Sequence, residues 1–212
     1  TRRYRVTPDA FEQQLRYLRD NGFGPVGLDE CRALVERRGP LAGRRVLVTF
    51  DDGFLDFRTH AWPLLKRYGV AALVFIVTER AGSANIWDTR FGETAPLLSW
   101  EDMRALEEEG VLFGSHAATH RPLTALSPVE ITGELARSKA ALQRALQRPV
   151  DAIAYPHGDT DPAVEHLAGA VGYTYGFTTR SGLCGPGDSL LSMPRIEVSG
   201  LDDFETFVAR LR

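Results

Sequence analysis

Short apolar runs alternate with helix-period segments along almost the whole chain, which is the pattern of repeated βα units around a parallel sheet or barrel. The fold class is therefore α/β. Strands are expected at residues 46–50, 71–77, 111–113, 152–155, 174–178 and 195–198. The first two are rich in Val, Leu and Phe without alternation, as in strands buried on both faces. Phe57, Ala61, Leu64, Leu65 and Tyr68 fall on one helical face between strands, and Ile131, Leu135, Ser138, Leu142 and Leu146 do so later. Helix starts are legible at Ser99 with Asp102 and at Ser127-Pro128 with Glu130, both with capping-box spacing. An N-terminal helix begins at Thr7-Pro8, buries Phe11, Leu15 and Leu18, and ends at Asn21-Gly22. Phe204, Phe207, Val208 and Leu211 make a last amphipathic helix.

At 212 residues and 43% hydrophobic content, one domain spanning 1–212 is expected. Charges of both signs are scattered, the net charge is -3, and no basic block could track a phosphate backbone, so nucleic acid is excluded as a partner. The longest apolar run, residues 70–77, is far shorter than the roughly 20 residues a membrane span needs. No signal peptide is visible, and the absence of an initiator Met leads us to expect a short missing upstream segment. Cys31 and Cys184 lack the close spacing of a zinc knuckle or redox pair and do not settle the compartment.

The chemistry gathers where apolar strands end. Val46-Leu47-Val48-Thr49-Phe50 runs into Asp51-Asp52-Gly53, placing two carboxylates at a C-terminal strand edge, where parallel α/β folds build their sites. Taken alone, the segment also reads as a polar turn with an Asp cap. A second strand leads through Gly114-Ser115 to His116-Ala117-Ala118-Thr119-His120, and two imidazoles four apart on one side of a helical turn can reach a single ion. One carboxylate and two imidazoles leave open coordination positions, as a hydrolytic metal needs, while the other Asp is free to act as base. Spacing does not say which Asp is which.

A third loop, Ala154-Tyr155-Pro156-His157-Gly158-Asp159, joins a fixed Pro to a permissive Gly and can present a backbone N–H to an oxyanion, or be an ordinary turn. Arg195 opens a late strand, where a surface cation is the usual occupant. Trp87, beside Asp88 in a polar loop, can stack on sugar rings or pack in the core.

Together these loops resemble the polysaccharide deacetylases of carbohydrate esterase family four, the NodB-homology group. Thr49-Phe50-Asp51-Asp52-Gly53 is similar to their first motif, Ser115-His116-Ala117-Ala118-Thr119-His120 to their second, and Ala154-Tyr155-Pro156-His157-Gly158 to a variant of their third. The likeness extends over nearly the whole chain and is nearest the branch of biofilm poly-N-acetylglucosamine deacetylases. It implies a distorted (β/α)7 barrel, Asp51 as base, and Asp52, His116 and His120 as ligands to one divalent ion, zinc or a similar metal such as cobalt or nickel. It further implies an oxyanion donor in the His157 backbone N–H, and Arg195 beside Asp51, replacing an Arg that many members carry where this chain has Ala154. Tyr155, Pro156 and Trp87 are assigned to the carbohydrate substrate. The family's habit places the activity at the cell envelope or outside the cell, with the cytoplasm as the alternative. The sequence leaves the glycan and the oligomeric state open.

Three positions depart from the family pattern. Ala117 replaces a Ser or Thr whose hydrogen bond steadies the second loop, His157 replaces an aromatic residue, and no Leu-x-His occurs near the C-terminus to protonate the leaving amine. The donor is expected upstream of Val6, with residues 1–6 near the open side of the pocket. A metal-binding but catalytically silent carbohydrate module is the alternative from another class. A phosphatase loop at Phe50-Asp51-Asp52-Gly53 fits less well, because those enzymes separate their acids by one residue and use magnesium without histidines.

Overall fold

The computed structural model describes residues 2–36, 42–87, 89 and 94–211; Thr1 and Asp88 lie outside them. Two short strands, β1 (Phe23–Pro25) and β2 (Arg44–Val46), form a parallel pair of their own. The remaining strands are β3 (Val48–Phe50), β4 (Ala72–Ile76), β5 (Leu112–Ser115), β6 (Ala152–Ala154), β7 (Tyr175–Ser181) and β8 (Met193–Arg195). They make one six-stranded parallel sheet in sequence order, curled into a half-barrel, as a distorted (β/α) barrel requires. Every residue of β4 is buried, because an unalternating Ala-Leu-Val-Phe-Ile run has no face to give to water.

Two strand expectations change. The run at 46–50 is not one strand: the chain passes from one sheet to the other at Leu47, with β2 pairing β1 and β3 pairing β4. Nothing local predicts β1, a Phe-Gly-Pro segment of poor strand propensity that exists through its pairing with β2. The last strand lies at Met193–Arg195, not 195–198. It holds Pro194, which an edge strand tolerates because one side of it needs no donor.

The helices are α1 (Pro8–Asp20), α2 (Leu28–Val35), α3 (Trp62–Tyr68), α4 (Trp100–Glu108), α5 (Pro128–Leu146), α6 (Pro162–Val171) and α7 (Phe204–Arg210). Their starts follow the sequence signals. Thr7 accepts from Ala10 N, while Ser99 with Asp102 and Ser127 with Glu130 form reciprocal capping boxes. On α5 the stripe Ile131, Leu135, Ser138, Leu142 and Leu146 is buried as its spacing requires.

Alternation along the strands divides the core into an outer and an inner layer. Ala72, Val74 and Ile76 join Leu15, Leu65 and Met103 under the helices. Leu73 and Phe75 turn the other way and meet Ala154, Phe177 and Met193. The Phe75 and Phe177 rings are 5.3 Å apart although β4 and β7 are not neighbours, so the contact spans the concave side of the curl. Strands β3 and β8, at opposite ends of the sheet, are brought together by Arg195, which donates to Thr49 Oγ1 at 3.2 Å and to Asp51.

Gly53 turns the chain out of β3 at φ +77°, and a Cβ there would stand 2.7 Å from Ile76 Cδ1. Gly53→Ala should therefore lower unfolding free energy by about 1–2 kcal/mol for the left-handed backbone, with a further cost from displacing buried Ile76. Denaturant titration of the two proteins checks this.

Candidate active site

All the sequence-selected loops leave the same, C-terminal edge of the sheet. After β3 the backbone enters the left-handed region at Asp52 (φ +69°) and stays there at Gly53. This swings two consecutive carboxylates apart, Asp51 toward β8 and Asp52 toward the loop after β5. Asp52 Oδ1 lies 3.4 Å from His116 Nε2 and 3.1 Å from His120 Nε2.

His116 is 2% exposed and its Nδ1 stands 2.7 Å from the Ala154 carbonyl. A carbonyl only accepts, so Nδ1 carries the proton and Nε2 presents a lone pair in the neutral ring. Burial pushes the His116 pKa down, against the pull of Asp51 and Asp52, and favours that neutral, metal-ligating form. The Nε2 lone pair thus faces a carboxylate oxygen that is itself buried without a hydrogen bond. Acceptor against acceptor in a buried pocket calls for a cation between them. One ligand atom each from Asp52, His116 and His120 lies within 4.8 Å of the others, and carboxylate oxygen with imidazole nitrogen is a donor set suited to zinc.

The two imidazoles do not converge on a helical turn, as their spacing suggested. Residues 116–120 are irregular, with Ala117 at φ +59° and His120 at φ +66°, and these two left-handed kinks bring the rings to 5.0 Å between centroids. A helical turn would require right-handed φ at both.

Asp51 sits in a two-pronged ion pair. Arg195 donates through Nη1 to Oδ1 at 2.7 Å and through Nη2 to Oδ2 at 2.8 Å, while its Nε donates to the Thr178 carbonyl at 2.9 Å. Burial alone would raise the Asp51 pKa. The Arg195 charge and hydrogen bonds, with smaller help from His116 and His120, outweigh it and hold the carboxyl down at about 2.

The third loop is a tight turn in which Gly158 N donates to Tyr155 O and Asp159 N to Pro156 O, and neither bond uses the His157 N–H. His157 is exposed, at φ +62°, and its ring packs edge-on against His120 at 4.6 Å. A second ring contact on His120 comes from Trp87, stacked at 4.4 Å and 25°. Half-buried Trp87 therefore gives one face to a candidate ligand, a role its polar loop did not suggest. Tyr155 and Pro156 require correction as substrate contacts. Tyr155 is 0% exposed, with its hydroxyl donating to Leu191 O at 2.8 Å, and Pro156 is buried too, so both side chains shape the loop from below.

His60 and His166 are exposed on helical segments away from the cluster. The N-terminus runs beside the loop leaving β8, where Arg3 pairs with Glu197 at 3.3 Å and its carbonyl accepts from Gly200 N. Sequence reasoning missed Glu134, which is 2% exposed and accepts from Ala118 and Thr119 N–H groups. Its signal was present: a Glu three residues after Ile131, on the buried face of α5, where charge is rarely tolerated.

A parallel α/β half-barrel carrying an Asp-His-His cluster and a separately held carboxylate at its C-terminal edge defines a hydrolase-type site. The chain belongs to the polysaccharide deacetylase family, whose model matches residues 38–176. It is similar to YxkH of Bacillus subtilis (strain 168), with 28% identity over 195 residues, covering 92% of this chain and 66% of that protein. It is 25% identical over 218 residues to the poly-beta-1,6-N-acetyl-D-glucosamine N-deacetylase of Staphylococcus aureus (strain N315), covering 98% of this chain and 72% of the relative. The structure of the Streptococcus pyogenes deacetylase PplD in complex with acetate superposes with a TM-score of 0.84 at 30% identity, over 98% of this chain and 88% of that one. IcaB from Ammonifex degensii gives 0.85 at 27% identity, over 99% and 91%.

With Asp51 as base and an ion on the Asp-His-His cluster, Arg195→Lys keeps the charge but cannot reproduce the fork, so turnover should fall by roughly 100-fold while metal content is unchanged. On the same reading His116→Ala should abolish metal uptake. Elemental analysis of both variants beside their rates checks the pair; equal metal loss would show that Arg195 serves the ion and not Asp51.

Proposed function

We propose that this protein hydrolyses N-acetyl groups from an N-acetylglucosamine-containing polysaccharide or oligosaccharide, with one divalent ion, zinc by preference, held by Asp52, His116 and His120. The observation that carries the reading is the division of labour between adjacent acids: Asp52 Oδ1 faces two imidazole nitrogens, while Asp51 is held apart by Arg195. Family membership supports deacetylation of carbohydrate, and the substrate in the name of the Staphylococcus aureus relative supports N-acetylglucosamine. We place the activity at the cell envelope, where such a polymer is accessible.

When bound, the ion supplies Lewis-acid polarisation of a carbonyl oxygen. The protein supplies the rest. Asp51, kept ionised by Arg195, takes the proton of the attacking water. The His157 N–H is the oxyanion donor, because the turn leaves it outside its own hydrogen bonds. A departing amine needs a proton, and His157 brings the one non-ligand imidazole that touches the ligand set among the described residues. Its ring takes the place of the donor expected upstream of Val6.

Incubation of the zinc-loaded protein with N-acetylglucosamine oligomers should release single acetyl groups as acetate, read by mass spectrometry as successive losses of about 42 daltons, since each acetyl group (about 43) is replaced by a hydrogen (about 1). Intact oligomers, with no turnover of a chromogenic acetyl ester, would favour a silent binding module. His157→Ala keeps the backbone donor and should lower amide turnover by about 100-fold or more while sparing an aryl ester, whose leaving group departs unprotonated. Equal rates on the amide would assign the proton to another group.

A further inference from the structure

The loop carrying His116 and His120 is strained and is tied down from outside. Ala117 and His120 are both left-handed non-glycine residues, a conformation that persists only where surroundings over-determine it. On one side, the Ala117 and Ala118 carbonyls accept from Thr78 N at 3.3 Å and Glu79 N at 2.9 Å, beyond the end of β4. On the other, Ala118 N and Thr119 N both donate to Glu134 Oε2, at 3.1 and 2.8 Å, and the Thr119 hydroxyl donates to Oε1 at 3.0 Å. Ala117 N donates to Ser115 Oγ, which is itself 2.7 Å from Ser138 Oγ on α5.

Glu134 is costly where it stands. Its side chain is 3% exposed, and α5 does not use it as a cap, since Ser127 and Glu130 do that. Its ion partner is Arg137 at 2.9 Å, and Arg137 also pairs with Glu79 at 3.0 Å, so one guanidinium ties both clamps of the loop together. Both carboxylate oxygens are spent on residues 118 and 119, which lie between the two histidines.

We propose that Glu134 is a positioning residue of the metal site. By accepting from two consecutive backbone N–H groups and the Thr119 hydroxyl, it fixes the distance and angle between the His116 and His120 rings. This is also how the chain does without a hydroxyl at Ala117. The inference rests on the metal reading above, and it assigns to the middle of α5 a function that fold stability alone would not demand.

Cobalt(II) serves as the probe, because its visible absorption bands report ligand geometry without turnover. Glu134→Gln, shown to be folded by circular dichroism, should weaken Co2+ binding by about 10- to 100-fold, the usual effect of losing a partner outside the ligand set. At saturating Co2+ its visible bands should also differ from the wild-type bands. Thr119→Val removes one hydrogen bond without exposing a charge and should weaken binding by about 2- to 10-fold. A folded Glu134→Gln protein with wild-type affinity and spectrum would overturn the proposal, even with a lowered melting temperature. Should that variant fail to fold, an unchanged Thr119→Val protein overturns it instead. Wild-type protein that takes up no Co2+ would overturn the metal reading together with this one, whereas normal wild-type uptake with unaltered variants overturns this one alone.

Discussion

The pairing of Arg195 with Asp51 is the contact on which the rest of the site depends. It joins the two ends of an open sheet, β3 and β8, that no strand hydrogen bonds connect. The same guanidinium reaches Thr49 Oγ1 and the Thr178 carbonyl, so three strands are fixed relative to one another by one side chain. Arg suits the position because its planar fork meets both oxygens of a carboxylate at once. Deleting one member of this half-buried pair strands the other's charge, at a cost below the about 3–5 kcal/mol of a fully buried pair because solvent reaches a third of Asp51. The bond that aims the candidate base is thus also a bond that curls the barrel.

Once Asp51 is committed to Arg195, its neighbour must look elsewhere, and the left-handed Asp52-Gly53 step supplies the turn. The two acids then occupy different electrostatic settings, one against a cation and one against two buried imidazoles. His116 and His120 are secured by different means. A carbonyl fixes the tautomer of His116, while His120 is contacted by the stacked Trp87 ring and the edge-on His157 ring, its Nδ1 without a hydrogen-bond partner. Aromatic contacts set a ring plane but not a protonation state, so the two ligand candidates differ in how firmly their tautomers are held.

Much of the fold and the centre of the site were legible in the sequence. The unalternating run at β4 reads as a buried parallel strand and is one, and the capping signals at Thr7, Ser99 and Ser127 needed nothing beyond local hydrogen bonding. The Asp51-Asp52 pair and the His116/His120 spacing marked the loops that meet, because carboxylates and imidazoles at strand ends in parallel folds share one edge. The resemblance to the family motifs gave the two acids separate expected roles, base and ligand, which spacing could not.

Tertiary structure decided what local sequence is blind to. The break at Leu47 and the existence of β1 follow from which strand is available to pair, not from propensity. The left-handed φ of Ala117 and His120 is held by hydrogen bonds with Thr78, Glu79 and Glu134, whose partners in the loop are 15 to 39 positions away, and no rule for four-residue spacing contains them. Tyr155 turned inward because Leu191 offers its hydroxyl a carbonyl, and Trp87 found His120 because the loop after β4 folds over the loop after β5. Sequence determined which chemical groups stand at the strand ends. Only the three-dimensional packing, through long-range hydrogen bonds that override backbone preference, decided where each group points.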